Sequence, residues 1–176
     1  PPLNRADTNH FDNPLTYRYD ESDCMLTFED VHVPWEKVIV HDNAPLSRNI
    51  YTQTPSHVMA NHQCSVRFHS KLRFLVGLAS LITKVTGARE IPAVRETLAR
   101  LAAMEAGYGA MIDGQLHRYH EVDNDYVLFN RRALYAAIHW AMENHSQLLD
   151  TVRELMGGGP FQFPASINVM QDAHLR

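Results

Sequence analysis

Three consecutive glycines, Gly157, Gly158 and Gly159, follow the helical pattern that ends at Arg153-Glu-Leu-Met156 and precede Pro160-Phe-Gln-Phe-Pro164. One glycine there would serve as a C-cap, because a left-handed residue after the last turn carries no Cβ penalty. Three in a row also clear side chains from a stretch of backbone, so their N–H groups can approach a phosphate, a flavin edge or another chain. Against an anion stands the helix polarity: the helix delivers its negative end here, whereas phosphate is drawn to helix N-termini. On the residues alone, a cap with an irregular turn and a close-approach site both stay open.

Eleven histidines are the other candidate chemistry. His57, His62 and His69 fall in one helical pattern and His139 and His145 in another, and none forms the HExxH element or the paired spacing of a metal helix. Satisfied surface or core histidines are expected, and no metal. His117 and His120 suit the C-terminal end of a helix, where cations meet the dipole favourably. Cys24 and Cys64 form neither a CxxC pair nor a disulfide framework, and Cys64 is expected to be a small buried hydrophobe. Arg67 and Lys71 either reach an anionic cofactor or line a solvated face.

A chain of 176 residues with 45% hydrophobic content can bury one good core. Its net charge of −4 and its lack of a Lys/Arg cluster argue against a nucleic-acid surface. The longest apolar run, Phe74 to Ile82, falls short of the ~20 residues that a membrane span needs. No targeting segment or disulfide pattern is present, so a cytoplasmic location is expected. The chain starts on Pro1-Pro2 without Met and stops at Leu175-Arg176 just after a loop, which suggests a part of something longer.

The elements that must position these residues follow from periodicity. Pro1 to Pro14 reads as loop and holds His10. Thr16 to Phe28 alternates around Asp20-Glu-Ser-Asp23 and predicts two antiparallel strands; Val31 to Val40 predicts another extended segment, confined to an edge by Pro34. Residues 1–45 are thus expected to be the end of a β-domain, since so few strands are marginal alone. Residues 46–176 are expected to form a mainly α domain, an incomplete antiparallel bundle of three long helices with a fourth missing. Pro55 opens the first, which runs to about Thr86 with Gly87 as its cap; Pro92 opens the second, to about Tyr119; the third runs from about Arg131 to Met156. Gly107, Gly109 and Gly114 inside the second helix each cost up to ~1 kcal/mol against Ala, which predicts a close neighbour.

Phe11-Asp-Asn-Pro-Leu-Thr-Tyr-Arg-Tyr-Asp-Glu-Ser-Asp23, Phe28-Glu-Asp-Val-His-Val-Pro-Trp-Glu-Lys-Val38, Val66-Arg-Phe-His-Ser-Lys-Leu-Arg-Phe-Leu-Val-Gly77 and the Gly157 to Ser166 segment resemble the C-terminal half of the 4-hydroxyphenylacetate 3-monooxygenase family. Within it, Asn9-His10-Phe11 and the Gly-Gly-Gly-Pro-Phe run resemble the chlorophenol monooxygenases most. The resemblance implies the oxygenase component of a two-component system: reduced FAD comes from a separate flavin reductase, a flavin hydroperoxide forms with molecular oxygen, and a phenol, halogenated or nitrated in some members, is hydroxylated. It implies the acyl-CoA dehydrogenase fold in a homotetramer, with this chain holding the tail of the central β-domain and most of the C-terminal bundle.

The resemblance also assigns roles. Glu154-Leu-Met-Gly157-Gly158 is similar to a Gln-x-x-Gly-Gly element that contacts FAD in acyl-CoA dehydrogenase-like proteins, with glutamate in place of glutamine. An ionised carboxylate accepts hydrogen bonds but donates none. The cofactor set is Glu154, Met156, Gly157, Gly158, Gly159, Pro160 and Arg67; His10 is the base that activates the phenol, and Phe161 packs on its ring. Two rivals are a dehydratase of the 4-hydroxybutyryl-CoA type, whose iron–sulfur ligands His57 and Cys64 imitate in spacing, and a non-catalytic assembly module.

Overall fold

The computed structural model describes residues 9–19, 25–122, 126–164 and 166–174. Two units emerge, Val40–Gly157 and Pro1–Ile39 with Gly158–Arg176.

In the first unit, Asn43 opens a helix, α2 (Ala44–Thr52), by accepting the Leu46 N–H on its side-chain oxygen at 3.0 Å, with a proline in the first turn. Three long helices follow: α3 (Ser56–Val85), α4 (Pro92–His117) and α5 (Arg131–Met156). Helix α3 ends at Thr86, after which Gly87 takes φ 74°, the left-handed conformation that glycine tolerates. Pro92 stands in the first turn of α4, and Asn130 caps α5 by accepting the Ala133 N–H at 2.9 Å. These bounds agree with the periodicity within two residues.

On α3 the buried positions Val58, Ser65, Leu72 and Ala79 recur every seven residues, and Leu101, Tyr108 and Gln115 do the same on α4. That spacing gives a coiled-coil-like seam, flanked by partly buried Phe68, Leu75 and Val76, while Val66 and Val85 stay exposed. Leu72, Ala79, Leu101, Tyr108, Ile112, Ala137, Leu148 and Val152 form the core. Each fully buried Leu, Ile or Val side chain there contributes about 1.5–3 kcal/mol. Burial pushes the Tyr108 phenol above its ordinary value, a hydrogen bond with Ser65 opposing and Cys64 reinforcing the shift. Cross-helix contacts fix direction: His62 meets Gln115 and His69 meets Glu105 between α3 and α4, while Tyr108 meets Trp140 and Gly114 lies beside Ala133 between α4 and α5. Hence α3 and α5 both run antiparallel to α4.

A short hairpin between α4 and α5 was not legible as strand: β1 (His120–Val122) pairs antiparallel with β2 (Tyr126–Leu128), Glu121 opposite Val127. Cys64, expected to be buried, is exposed on α3, because the heptad seam turns it outward.

The second unit corrects the strand expectation for Thr16 to Phe28. Residues 14–19 form a helix, α1 (Pro14–Tyr19), because Pro14 supplies its fixed φ at the first position and the Asn13 carbonyl accepts the Tyr17 N–H at 2.9 Å. The Asp20 to Asp23 turn lies outside the described residues. Residues 25–34 form neither helix nor strand and bend at Glu29-Asp30, where Asp30 takes φ 48°, and Trp35–Lys37 is one 3-10 turn. Two short helices complete the unit, α6 (Gly159–Gln162) and α7 (Ile167–Gln171).

Candidate functional site

The end of α5 is set by one residue. Gly157 takes φ 64° and ψ −140°, a region that is essentially glycine-only, and its N–H donates to the Glu154 carbonyl at 3.0 Å. The glycine at 157 is therefore compelled by backbone. Gly158 is not: at φ −75° and ψ −9° it is helical, and its carbonyl accepts the Gln162 N–H at 3.2 Å. Gly159 begins α6, and its carbonyl accepts the Phe163 N–H at 3.0 Å. A Cβ at Gly159 would meet nothing within 4 Å, and one at Gly158 only the Gln162 side chain at 3.5 Å. Gly158 and Gly159 thus leave bare backbone without a conformational reason for it.

That bareness is what a flat cofactor needs in order to come close, and it fits FAD at Gly158 and Gly159. The Gly157 N–H does not serve as a donor to a ligand, being committed to Glu154. Glu154 and Pro160 are exposed and Met156 is half-buried. Arg67 is exposed on α3, one residue before Phe68, whose ring meets that of His145 on α5 at 5.8 Å. Gly157 lies twelve residues beyond His145 on α5 and its cap, a rise of roughly 18 Å along the helix. Along the bundle Arg67 is thus remote from the end of α5 at Met156.

His10 occupies an exposed turn in the second unit, its ring edge-on to Tyr17 at 5.8 Å. Asn9 builds that turn: its side-chain oxygen accepts the N–H groups of Phe11 at 2.9 Å and Asp12 at 2.7 Å, and its amide donates to Asp12 Oδ2 at 2.7 Å. Asp12 Oδ1 in turn accepts the Ile167 N–H at 2.8 Å, and Ser166 Oγ donates to Asp12 Oδ2 at 3.2 Å. The hydrogen bonds from Asn9, Ile167 and Ser166 hold the Asp12 carboxyl below its ordinary value, with a smaller opposing contribution from desolvation. The His10 turn is fastened in this way to the stretch that follows Phe161, itself in α6; the Phe161 side chain lies outside the described residues. The turn-building role of Asn9 and Asp12 escaped the sequence reading. Asn9, whose side-chain oxygen accepts the N–H two residues on, is the Asx-turn signal that would have marked the turn.

The other histidines are mostly structural. His62 Nδ1 lies 2.8 Å from Gln115 Oε1 and its ring stacks on Phe129 at 3.7 Å; His69 Nε2 lies 2.8 Å from Glu105; His139 pairs with Glu143 one turn on. His57 differs, because it is buried with Nδ1 unpartnered among the described residues. It faces the Tyr51 ring, while Cys64, two turns further along α3, is exposed with Sγ 3.7 Å from Gln63. Among the described residues no three His, Cys, Asp or Glu side chains converge, and no helix is long and apolar enough to cross a membrane.

Comparison with known proteins gives one consistent result. The oxygenase component of 4-hydroxyphenylacetate 3-monooxygenase from a Geobacillus species is 26% identical over 167 residues, which are 92% of this chain and 33% of that protein. The component of the same name from Thermus thermophilus is 35% identical over 91 residues, 52% of this chain and 19% of that one. The crystal structure of HpaB, the oxygenase component, complexed with FAD and 4-hydroxyphenylacetate, superposes with a TM-score of 0.79 and 25% identity over 94% of this chain and 34% of that chain. The chain spans a third or less of the length of these relatives. The model of the HpaB family, the C-terminal domain of 4-hydroxyphenylacetate 3-hydroxylase, matches residues 47–176, and the chain belongs to that family.

Proposed function

We propose that this chain is the C-terminal part of a cytoplasmic oxygenase component that hydroxylates phenols with reduced FAD supplied by a separate flavin reductase. In the whole protein, residues 1–45 would close a central β-domain and residues 46–176 would form the incomplete C-terminal bundle. The observation that carries this reading is the likeness over 94% of the chain to a structure holding FAD and 4-hydroxyphenylacetate, joined to bare backbone at Gly158 and Gly159.

Reduced FAD, when bound, supplies two electrons, so that one atom of dioxygen enters the aromatic ring and the other leaves as water. Gly158 and Gly159 let the cofactor lie against the backbone beside Met156, Gly157 and Pro160. Glu154, an acceptor only, suits a ribose hydroxyl and repels pyrophosphate. Arg67, far along the bundle, serves a different part of the cofactor or the flavin of a neighbouring subunit. A homotetramer is consistent with the exposed apolar side chains of Phe74, Leu81, Tyr135 and Met142 on the bundle. Phe161 packs on the substrate ring.

His10 takes the phenol proton on an imidazole nitrogen. The ring carbons of a phenolate are far richer in electrons than those of a phenol, and oxygen insertion needs that density. Phenols titrate near ~10 and imidazole near ~6.5, so the transfer is effective where the pocket also stabilises the anion. The likeness to the chlorophenol monooxygenases rests on Asn9-His10-Phe11 and the Gly157 to Phe161 run.

The test uses the full-length protein with reduced FAD, air and a panel of phenols. Oxygen-dependent formation of hydroxylated product is expected. Failure to bind reduced FAD, or turnover that ignores it, overturns the proposal.

A further inference from the structure

We infer that Asp12 is a positioning residue for phenol activation: it clamps the His10 turn to the segment at Ser166 and Ile167, so that His10 and the stretch carrying Phe161 address one substrate. The inference rests on the reading of His10 as the base.

Its ground is geometry within one unit of the chain. Asp12 is two residues from His10 and 155 residues from Ile167, yet its Oδ1 accepts the Ile167 N–H at 2.8 Å and its Oδ2 accepts both Asn9 Nδ2 at 2.7 Å and Ser166 Oγ at 3.2 Å. Both carboxylate oxygens are thus engaged, one by backbone and one by two side chains. A charged acceptor makes such bonds roughly twice as strong as neutral ones.

The same residues organise both ends of the link. Asn9 folds the turn through the N–H groups of Phe11 and Asp12, and its carbonyl accepts the Asn13 N–H at 3.1 Å. Ser166 caps α7 by accepting the Asn168 N–H at 3.2 Å while donating to Asp12. His10 itself is held within the described residues only by the edge of Tyr17, so the placement of its ring follows the turn, and the turn follows Asp12. A depressed carboxyl pKa is the thermodynamic mark of the same bonds.

Removing the clamp should misplace the base without touching the glycine turn at the end of α5. A displacement of about 1 Å costs a reaction up to about 10²-fold. The experiment uses the full-length protein and compares wild type with Asp12→Ala, Asp12→Asn and His10→Ala. Three quantities are read: reduced-FAD affinity, the share of consumed oxygen that appears as hydroxylated product rather than hydrogen peroxide, and, in flavin-free protein, the phenolate absorption of bound 4-nitrophenol at mildly acidic pH.

Asp12→Ala should bind reduced FAD as wild type does, lose phenolate absorption, and hydroxylate between about 10- and 100-fold more slowly with a matching rise in peroxide. Asp12→Asn, which keeps an acceptor for Ile167, should fall between Asp12→Ala and wild type. The inference is overturned if Asp12→Ala keeps both product yield and phenolate signal while His10→Ala loses them, or if reduced-FAD affinity falls in step with activity. If His10→Ala also retains both, the reading of His10 as base fails first and takes the clamp with it.

Discussion

The imidazole of His69 lies where a side chain on Gly109 would go: a Cβ there would sit 3.2 Å from both Cε1 and Nε2 of the ring. The ring is held by Glu105 at 2.8 Å, with Arg73 a further 3.9 Å from the same carboxylate oxygen. A small residue on α4 thus admits a polar cross-link between α3 and α4. Gly107, two residues away, would meet nothing within 4 Å.

The two glycines should therefore respond unequally to alanine. Gly107→Ala should raise stability by about 0.5–1 kcal/mol through helix propensity. Gly109→Ala should fall below Gly107→Ala, because the His69 ring must move and its bond to Glu105 weaken. Urea unfolding of the chain compares the two, and equal gains would refute the close-approach account of Gly109.

At the end of α5, Gly157→Ala should destabilise by about 1–3 kcal/mol, since no L side chain sits comfortably at φ 64° and ψ −140°. Gly158→Val should leave the fold intact, its backbone being helical, and lower the affinity of the full-length protein for reduced FAD. Titration with anaerobically reduced FAD checks this, and unchanged affinity in a folded variant removes Gly158 from the cofactor site.

His10→Ala should cost hydroxylation roughly 10²-fold or more, while oxygen consumption continues and ends as hydrogen peroxide. Raising the pH, or supplying a more acidic phenol, should recover part of the loss because the substrate then arrives as phenolate. A wild-type rate with a weakly acidic phenol near neutral pH would show that His10 only orders its turn.

Acid should release the Asp12 clamp. The folded-state carboxyl is more acidic than an unfolded one, so its contribution is complete above the ordinary value of 3.8 and is lost as pH falls through the lower folded value. Hydrogen exchange at the Ile167 amide should accelerate over that window. In Asp12→Asn the same amide should exchange faster at neutral pH and show no such acid step.

In the core, Leu134→Ala and Leu148→Ala remove fully buried side chains and should each cost about 2–5 kcal/mol by chemical denaturation. Replacing exposed Leu81 by Ala in the isolated chain should cost far less.

The long helices were legible because each carries its own period and its own punctuation: Pro92 at a start, Gly87 after an end, Asn130 as a cap. Alternation over Tyr17 and Tyr19 misled because α1 has six residues, too few for a period of 3.6 to show, and the Asn13-Pro14 start signal decided the outcome. The β1 and β2 strands, three residues each, were too short to carry any period. At the glycine run, residue type announced bare backbone, but only dihedral angles separate Gly157, which needs glycine, from Gly158, which does not. The link from Asp12 to Ile167 spans 155 residues, and no local pattern announces it.

We propose that this chain completes a phenol oxygenase that works with reduced FAD. The most direct test gives the full-length protein chemically reduced FAD, a phenol and isotopically heavy dioxygen, with no reductase present, and weighs the product. Each newly formed hydroxyl group should carry one heavy oxygen atom, with one product for each reduced FAD consumed at full coupling. Label entering from water, or peroxide as the sole product with every phenol tried, would contradict the proposal.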